Sequence, residues 1–342
     1  MKKVSTAIAL LMALLMLVAG CAAPAAEEAP VEAPVEEAVV EEAPAADDKI
    51  VIGCTMQGDE TGFVHYLVSG IYNYQETEAP DVEVEVVFAD YDAATQLSQV
   101  ETFVSQGVDA IIINPVDMTQ SAGAVDYAAE AGVPIITVNT GTDSTNNTAH
   151  VGSDDVESGY LEMQYLLSIA GENAKVAYVD AALGHSAQIA RAEGFNKALA
   201  EVPSAELVIH DTANWSADET LTLVENWLQA GQEFGVLAHM CDNQAFGAIT
   251  AIENAGMTGK ILLGGIDCDP IMMDHVKNGV AACTVWQDGI GQGSNALRVA
   301  IEAAKGNAVE DFFVPFELVT ADNLAEFEAR AAERDALAAK YF

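Results

Sequence analysis

From residue 48 onward, short apolar and β-branched runs alternate with longer stretches of helical period. The runs at 50–55, 82–88, 110–114 and 134–139 predict strands. The stretches between them, at 63–78, 93–106 and 120–131, are each about as long as a parallel crossover requires. The same grammar restarts after His150, with strands over 175–180, 206–210, 234–241, 261–266 and 281–286. Helices over 156–170, 187–200, 217–230, 244–255 and 271–278 separate them. Two successive βαβ series predict an α/β protein with two doubly wound parallel-sheet lobes. A helix over 288–305, a strand over 312–319 and an Ala/Glu-rich amphipathic helix over 322–341 follow the second series. Returning the chain to the first lobe gives interleaved lobes, 49–153 plus 288–317 and 154–287 plus 318–342. The crossings near 150–155, 287–289 and 316–320 form a hinge about which rigid lobes close.

The pattern before residue 49 is of another kind. Lys2 and Lys3 precede an apolar run over 7–18 that is too short to span a bilayer comfortably, so 1–20 is expected to be an export signal peptide. Val18-Ala19-Gly20-Cys21 resembles the lipobox of bacterial lipoproteins, which implies cleavage before Cys21 and a lipid on its sulfur. Residues 21–48 are almost entirely Ala, Pro, Val and Glu. After Cys21 they carry nine acids and no base, a composition that forms no core and serves as a tether. The expected location is therefore the cell envelope, on the extracytoplasmic side of a bacterial membrane.

Composition narrows the partners. The 342 residues contain 13 Lys+Arg against 53 Asp+Glu, a formal net charge of -40. Such a surface repels phosphate backbones, and a nucleic-acid partner is not expected.

Motifs for catalysis are incomplete. Gly289-Ile-Gly291-Gln-Gly293-Ser294 lacks the third glycine of a dinucleotide fingerprint and arrives late in the chain, so it predicts a helix start. Gly184-His185-Ser186-Ala187 lacks the spacing of a nucleophile elbow. His239, Cys241 and Cys268 fall at neighbouring strand ends, but no Cys-x-x-Cys or His-x-x-x-His pair supports a metal site. No cofactor is expected. For an exported chain, a disulfide between Cys241 and Cys268 is the expected pairing.

Recognition without catalysis remains. Asn139, Arg191, Trp215, Asp242, Asp267 and Gln287 gather at or near predicted strand ends, where open parallel sheets meet their ligands. Asp267 closes the 261–266 run and has two readings, a helix cap or a ligand acceptor. Carboxylates, amides and a guanidinium among aromatic rings suit a neutral polyhydroxy ligand, whose hydroxyls both donate and accept. Replacing Asp267 or Arg191 is expected to weaken binding and leave the fold intact.

These stretches resemble a known family. The segments 106–115, 131–138, 151–154, 191–195 and 264–267, with Ala213-Asn214-Trp215 and 281–287, resemble the ribose-type substrate-binding proteins of bacterial ABC importers over essentially the whole mature domain. That family has the type I periplasmic binding fold. The resemblance implies that Arg191 donates to sugar oxygens, that Asp267 accepts from hydroxyls, and that Gln287 is the amide of a crossing segment. It places Trp215 on one sugar face and Phe63 on the other. Two positions depart from the family pattern: Asn139-Thr140 replaces Asp-Arg, and Cys241-Asp242-Asn243 replaces Asn-Asp-Glu. Both disfavour ribose and admit another pentose or hexose, a cyclitol or another polyol. The implied protein is a monomeric lipoprotein that captures a small neutral sugar or polyol and presents it to a membrane permease. A receptor for a signalling furanone or a nucleoside, or an exported sugar-modifying enzyme, are the alternatives.

Overall fold

The computed structural model describes residues 49–58 and 62–342. The signal, Cys21 and the tether lie outside the described residues. In chain order, the first half contains β1 (Val51–Met56), α1 (Gly62–Glu78), β2 (Glu83–Phe88), α2 (Ala93–Gln106), β3 (Ala110–Ile113), α3 (Ala122–Glu130), β4 (Ile135–Asn139) and β5 (Ala149–Gly152). Then come α4 (Asp155–Ala170), β6 (Lys175–Asp180), α5 (Ser186–Glu201), β7 (Glu206–Thr212), α6 (Ala217–Gln229), β8 (Val236–His239), α7 (Asp242–Asn254), β9 (Leu262–Leu263) and α8 (Pro270–Lys277). The chain ends with β10 (Cys283–Trp286), α9 (Gly289–Ala304), β11 (Phe312–Phe313), β12 (Glu317–Thr320) and α10 (Leu324–Tyr341).

The first sheet is parallel with order β11-β5-β4-β3-β1-β2, and the second is parallel with order β7-β6-β8-β9. Helices cover both faces, so β3 and β4 are buried throughout, which is why their sequences run apolar without alternating. The strand order reverses beside β1 in one sheet and beside β6 in the other. These are the switch points at whose carboxyl ends a crevice opens.

Four details depart from the sequence expectation. Ala149–Gly152 is a strand, β5, hidden from the pattern because Ala-His-Val-Gly makes no continuous apolar run. The 312–319 run is two strands: β11 joins the first sheet, and β12 pairs antiparallel with β10. Pro315 between them has no N–H for a continuous ladder. The 261–266 run keeps only two strand residues. A side chain at Gly264 would meet Cys283 Sγ and Glu162 at 2.9 Å, and one at Gly265 would meet Asp242 Oδ1. The chain passes this crowded point as bare backbone and turns into Asp267, at φ 122°. Finally, β10 hydrogen-bonds the β9 edge through Ala282 N to Leu263 O and Val285 N to Gly265 O, but its ladder partner is β12.

The Gly289–Gly293 motif opens α9. Asp288 caps the helix by accepting from Gly291 N, and Gly293 lets α9 lie directly against the Leu67 carbonyl of α1. The chain thus leaves the first sheet after β5, returns to it through α9, and leaves again between β11 and β12. Among the described residues, no helix is long and apolar enough to cross a membrane.

Candidate functional site

Between the carboxyl ends of the two sheets lies a cavity of about 180 Å³. Gln57, Phe63, Tyr91 and Asn139 line it from the first-sheet side. His185, Arg191, Trp215, Cys241, Asn243, Asp267 and Asp269 line it from the second, and Gln287 follows β10. Four of these residues, Tyr91, Asn139, Trp215 and Asp267, hold positive φ angles of 57°, 63°, 64° and 122°. Left-handed backbone at non-glycine residues costs energy and clusters where side chains must be aimed. Above the cavity the two sides touch: Met118 N donates to Gly184 O at 3.1 Å, Gly141 N to Ser186 Oγ at 3.0 Å, and His185 Nε2 lies 3.1 Å from Gln57 Oε1.

Arg191 is the electrostatic centre. It is 3% exposed; Nε donates to Asp155 Oδ1 at 2.8 Å, Nη2 to Gln287 Oε1 at 3.0 Å, and Nη1 to the Met240 carbonyl. These bonds lock the guanidinium plane and leave part of its donor fork free for a ligand. They also change the expectation for its removal. Without Arg191, Asp155 is a buried carboxylate with no cation, so the fold suffers as well as binding. Gln287, having given its carbonyl to Arg191, keeps a buried Nε2 with no partner among the described residues.

Acceptors face these donors. Among the described residues, no protein group donates to the side chain of Asp267 or Asp269. Burial pushes the Asp267 carboxyl up to about 8, with Arg191 pulling it down and Asp269 adding to the rise. An acid in that position is stabilised by hydroxyl donors brought by a ligand. Asn243 Nδ2 donates to the Trp215 carbonyl at 2.7 Å, leaving the amide oxygen as its offer to the cavity, and Asn139 Nδ2 donates to Gln292 Oε1 at 3.1 Å. Burial, with Arg191 next, lowers His185 to about 4, so the ring is neutral and packs edge-on to Trp215 at 4.9 Å.

Of the residues expected at the site, Phe63, Asn139, Arg191, Trp215, Cys241, Asp267 and Gln287 come together on the wall. Asp242 does not. It is fully buried behind the wall, where its carboxylate accepts from Thr284 Oγ1 at 2.9 Å and from Asp269 N at 2.8 Å. It therefore supports the Asp267–Asp269 turn. The Cys241–Cys268 disulfide is also corrected: both cysteines are free, as are Cys54 and Cys283. Cys241 lines the cavity while Cys268 packs with Met273 and Trp286 in a separate apolar cluster. His239 Nδ1 is engaged with the Gly264 carbonyl at 2.8 Å, and no metal-binding cluster occurs among the described residues. Sequence reasoning missed Gln57, Tyr91, His185, Ala187, Asn243 and Asp269. Of these, His185, Ala187 and Asn243 lay in motifs that drew attention, and Asp269 lies two residues past Asp267.

Two parallel sheets whose carboxyl ends converge on a cavity lined by polar and aromatic side chains define a two-lobed cleft receptor. Comparison with known proteins identifies the family: residues 52–308 match the model of the periplasmic binding protein domain, and the chain belongs to that family, with the type I fold. Its members are solute-binding proteins, not enzymes. A putative rhizopine-binding protein of Rhizobium meliloti is 33% identical over 287 residues, 82% of this chain and 93% of that protein. A xylitol-binding protein of Mycolicibacterium smegmatis is 31% identical, covering 83% of this chain and 80% of its own. Among solved structures, an ABC transporter solute-binding protein from Bacillus halodurans with bound myo-inositol is 37% identical, with a TM-score of 0.80 over 84% of this chain and 99% of that one.

Proposed function

We propose that this protein is an extracytoplasmic lipoprotein, anchored through Cys21, that captures one small neutral sugar or polyol and hands it to an ABC importer. A six-membered cyclic polyol is the first candidate. The carrying observation is the mismatch on the cavity wall: among the described residues no protein group donates to the side chains of Asp267 or Asp269, and the buried Gln287 Nε2 has no acceptor, so a ligand must supply both kinds of partner. Hydroxyls do so. The volume of about 180 Å³ leaves room for a single ring with its hydroxyls. Phe63 and Trp215 offer apolar faces to such a ring. The relatives that bind xylitol or myo-inositol point the same way.

In this reading the lobes are 49–153 plus 288–317 and 154–287 plus 318–342, and the three crossings act as the hinge. Contacts made to both sides exist only when the lobes are closed, so the ligand shifts the population toward the form a permease recognises. A thermal-shift panel of myo-inositol, xylitol, D-ribose, D-allose and adenosine, followed by calorimetry, tests the ligand class. At a hundredfold excess over Kd, a true ligand stabilises the protein by about 2.7 kcal/mol. A response to adenosine alone would point instead to a nucleoside receptor, and no response from any polyol refutes the assignment. Mass spectrometry of membrane-extracted protein tests the anchor by the mass of lipid on Cys21.

A further inference from the structure

Arg334 on α10 lies outside the cavity, yet it touches three segments that carry wall residues: the Asp267 turn, the end of β10 before Gln287, and α1. It is 4% exposed. Nη1 donates to the Asp267 carbonyl at 3.3 Å, and Nε donates to Asp335 Oδ1 at 3.0 Å. The guanidinium stacks over the Tyr66 ring at 4.2 Å and the Trp286 ring at 4.9 Å. The Tyr66 hydroxyl donates to the same Asp335 oxygen at 2.8 Å, closing a ring of contacts. Tyr66 stands one helical turn after Phe63 on α1, Trp286 directly precedes Gln287, and Asp267 is itself a wall residue.

We infer that Arg334 is a positioning residue that fixes the Asp267 turn and ties the two sides of the cleft together in this closed arrangement. The geometry explains how. Asp267 and Cys268 hold φ angles of 122° and 58°, strained values that need an external hold, and the Asp267 carbonyl is held by Arg334. Trp286 is bridged to Asp267 in the backbone, so stacking on its ring steadies the same turn from the opposite side. Tyr66 belongs to α1, which packs with the first sheet, so the Tyr66–Asp335–Arg334 contacts reach across the cleft. The rest of α10 reinforces that reach: Phe342 stacks on His65 at 4.0 Å, Tyr341 lies 5.4 Å from Tyr72, and Lys340 bonds Glu76. Opening the cleft moves α1 away from this helix and breaks the contacts. Closure reforms them at the moment Asp267 is aimed at the ligand.

This inference rests on the proposed ligand site only for its consequence in affinity, and one of its readouts needs no ligand. In the unliganded protein, Arg334→Met, which keeps apolar bulk over the rings and removes the donors, is expected to speed hydrogen exchange in peptides covering 63–72 and 264–269. Peptides from α5 and α6 are expected to keep wild-type rates. Uniform acceleration, or none, overturns the positioning role. With myo-inositol or xylitol, whichever binds wild type, Arg334→Met is expected to weaken affinity about ten-fold or more, the scale of a hydrogen bond to a charged group. Arg334→Lys restores part of the loss. Unchanged affinity beside altered exchange overturns the link to closure. If wild type binds neither polyol, the ligand assignment fails while the exchange experiment still decides the role of Arg334.

Discussion

Glu162 allows a prediction whose size follows from the structure. It sits on α4 beneath the second sheet, fully buried, with Oε1 accepting from His239 N at 3.0 Å and Oε2 without a partner. Burial raises its carboxyl from an ordinary 4.5 to about 8, opposed by the His239 amide and by Arg191. Because the folded value lies above the unfolded one, the native state holds the extra proton between those two limits. Stability is therefore highest below pH 4.5 for this group and is lost as pH rises toward 8. The slope is about 1.4 kcal/mol per pH unit, so from about pH 5 to about pH 8 this one side chain removes up to about 4 kcal/mol. Glu162→Gln keeps the acceptor for His239 and deletes the titration. The variant should match wild type near pH 5 and exceed it increasingly toward pH 8. Urea unfolding followed by fluorescence of the three tryptophans measures the difference in midpoint at each pH. Asp155, Asp242, Asp267 and Asp269 have raised values too, so wild-type stability alone falls with pH for several reasons, and only the difference isolates Glu162. A pH-independent difference would refute the reasoning.

Other expectations concern the site and its cysteines. Asp267→Asn keeps one acceptor oxygen and turns the other into a donor, so calorimetry with the polyol that binds wild type should show affinity weaker by about 1–2 kcal/mol while the melting temperature does not fall, because among the described residues no protein group donates to that carboxyl and its raised value already costs stability as pH rises toward 8. Arg191→Ala should lower stability by about 3–5 kcal/mol in addition to abolishing binding, since it strands Asp155, and a melting temperature equal to wild type would contradict the buried-pair account. Trp215→Ala should weaken binding more than Trp215→Phe, because the phenyl ring preserves a stacking face; equal losses in calorimetry would remove Trp215 from the ligand's surface. Alkylation in denaturant should give the same intact mass with or without prior reductant, since Cys54, Cys241, Cys268 and Cys283 are free. Under native conditions the reaction should be slow, because burial pushes these thiols up and away from the reactive thiolate.

The sequence by itself determined the architecture. Apolar runs of strand length alternating with crossover-length helices admit little besides parallel sheets covered on both faces, and the doubled series with a surplus helix and strand implied interleaved lobes. It also pointed to half of the cavity wall, because strand carboxyl ends are positions visible in one dimension: Asn139, Trp215, Cys241, Asp267 and Gln287 lie at or soon after one, and Arg191 stands on the helix that follows β6. What only the tertiary structure decided is which way side chains at those ends turn. Asp242 and Asp269 flank the same turn, and nothing in their sequence says that Asp242 points inward to Thr284 while Asp269 faces the cavity. The direction is set by contacts from residues more than ten positions away. Arg334 shows the same limit from further off. On α10 it has the sequence of an ordinary amphipathic helix, and only the fold brings it within bonding distance of the Asp267 carbonyl, 67 residues earlier in the chain. Asp267, open to two readings in sequence, caps no helix with its side chain in the structure: it faces the cavity from a turn that Asp242 and Arg334 hold from behind.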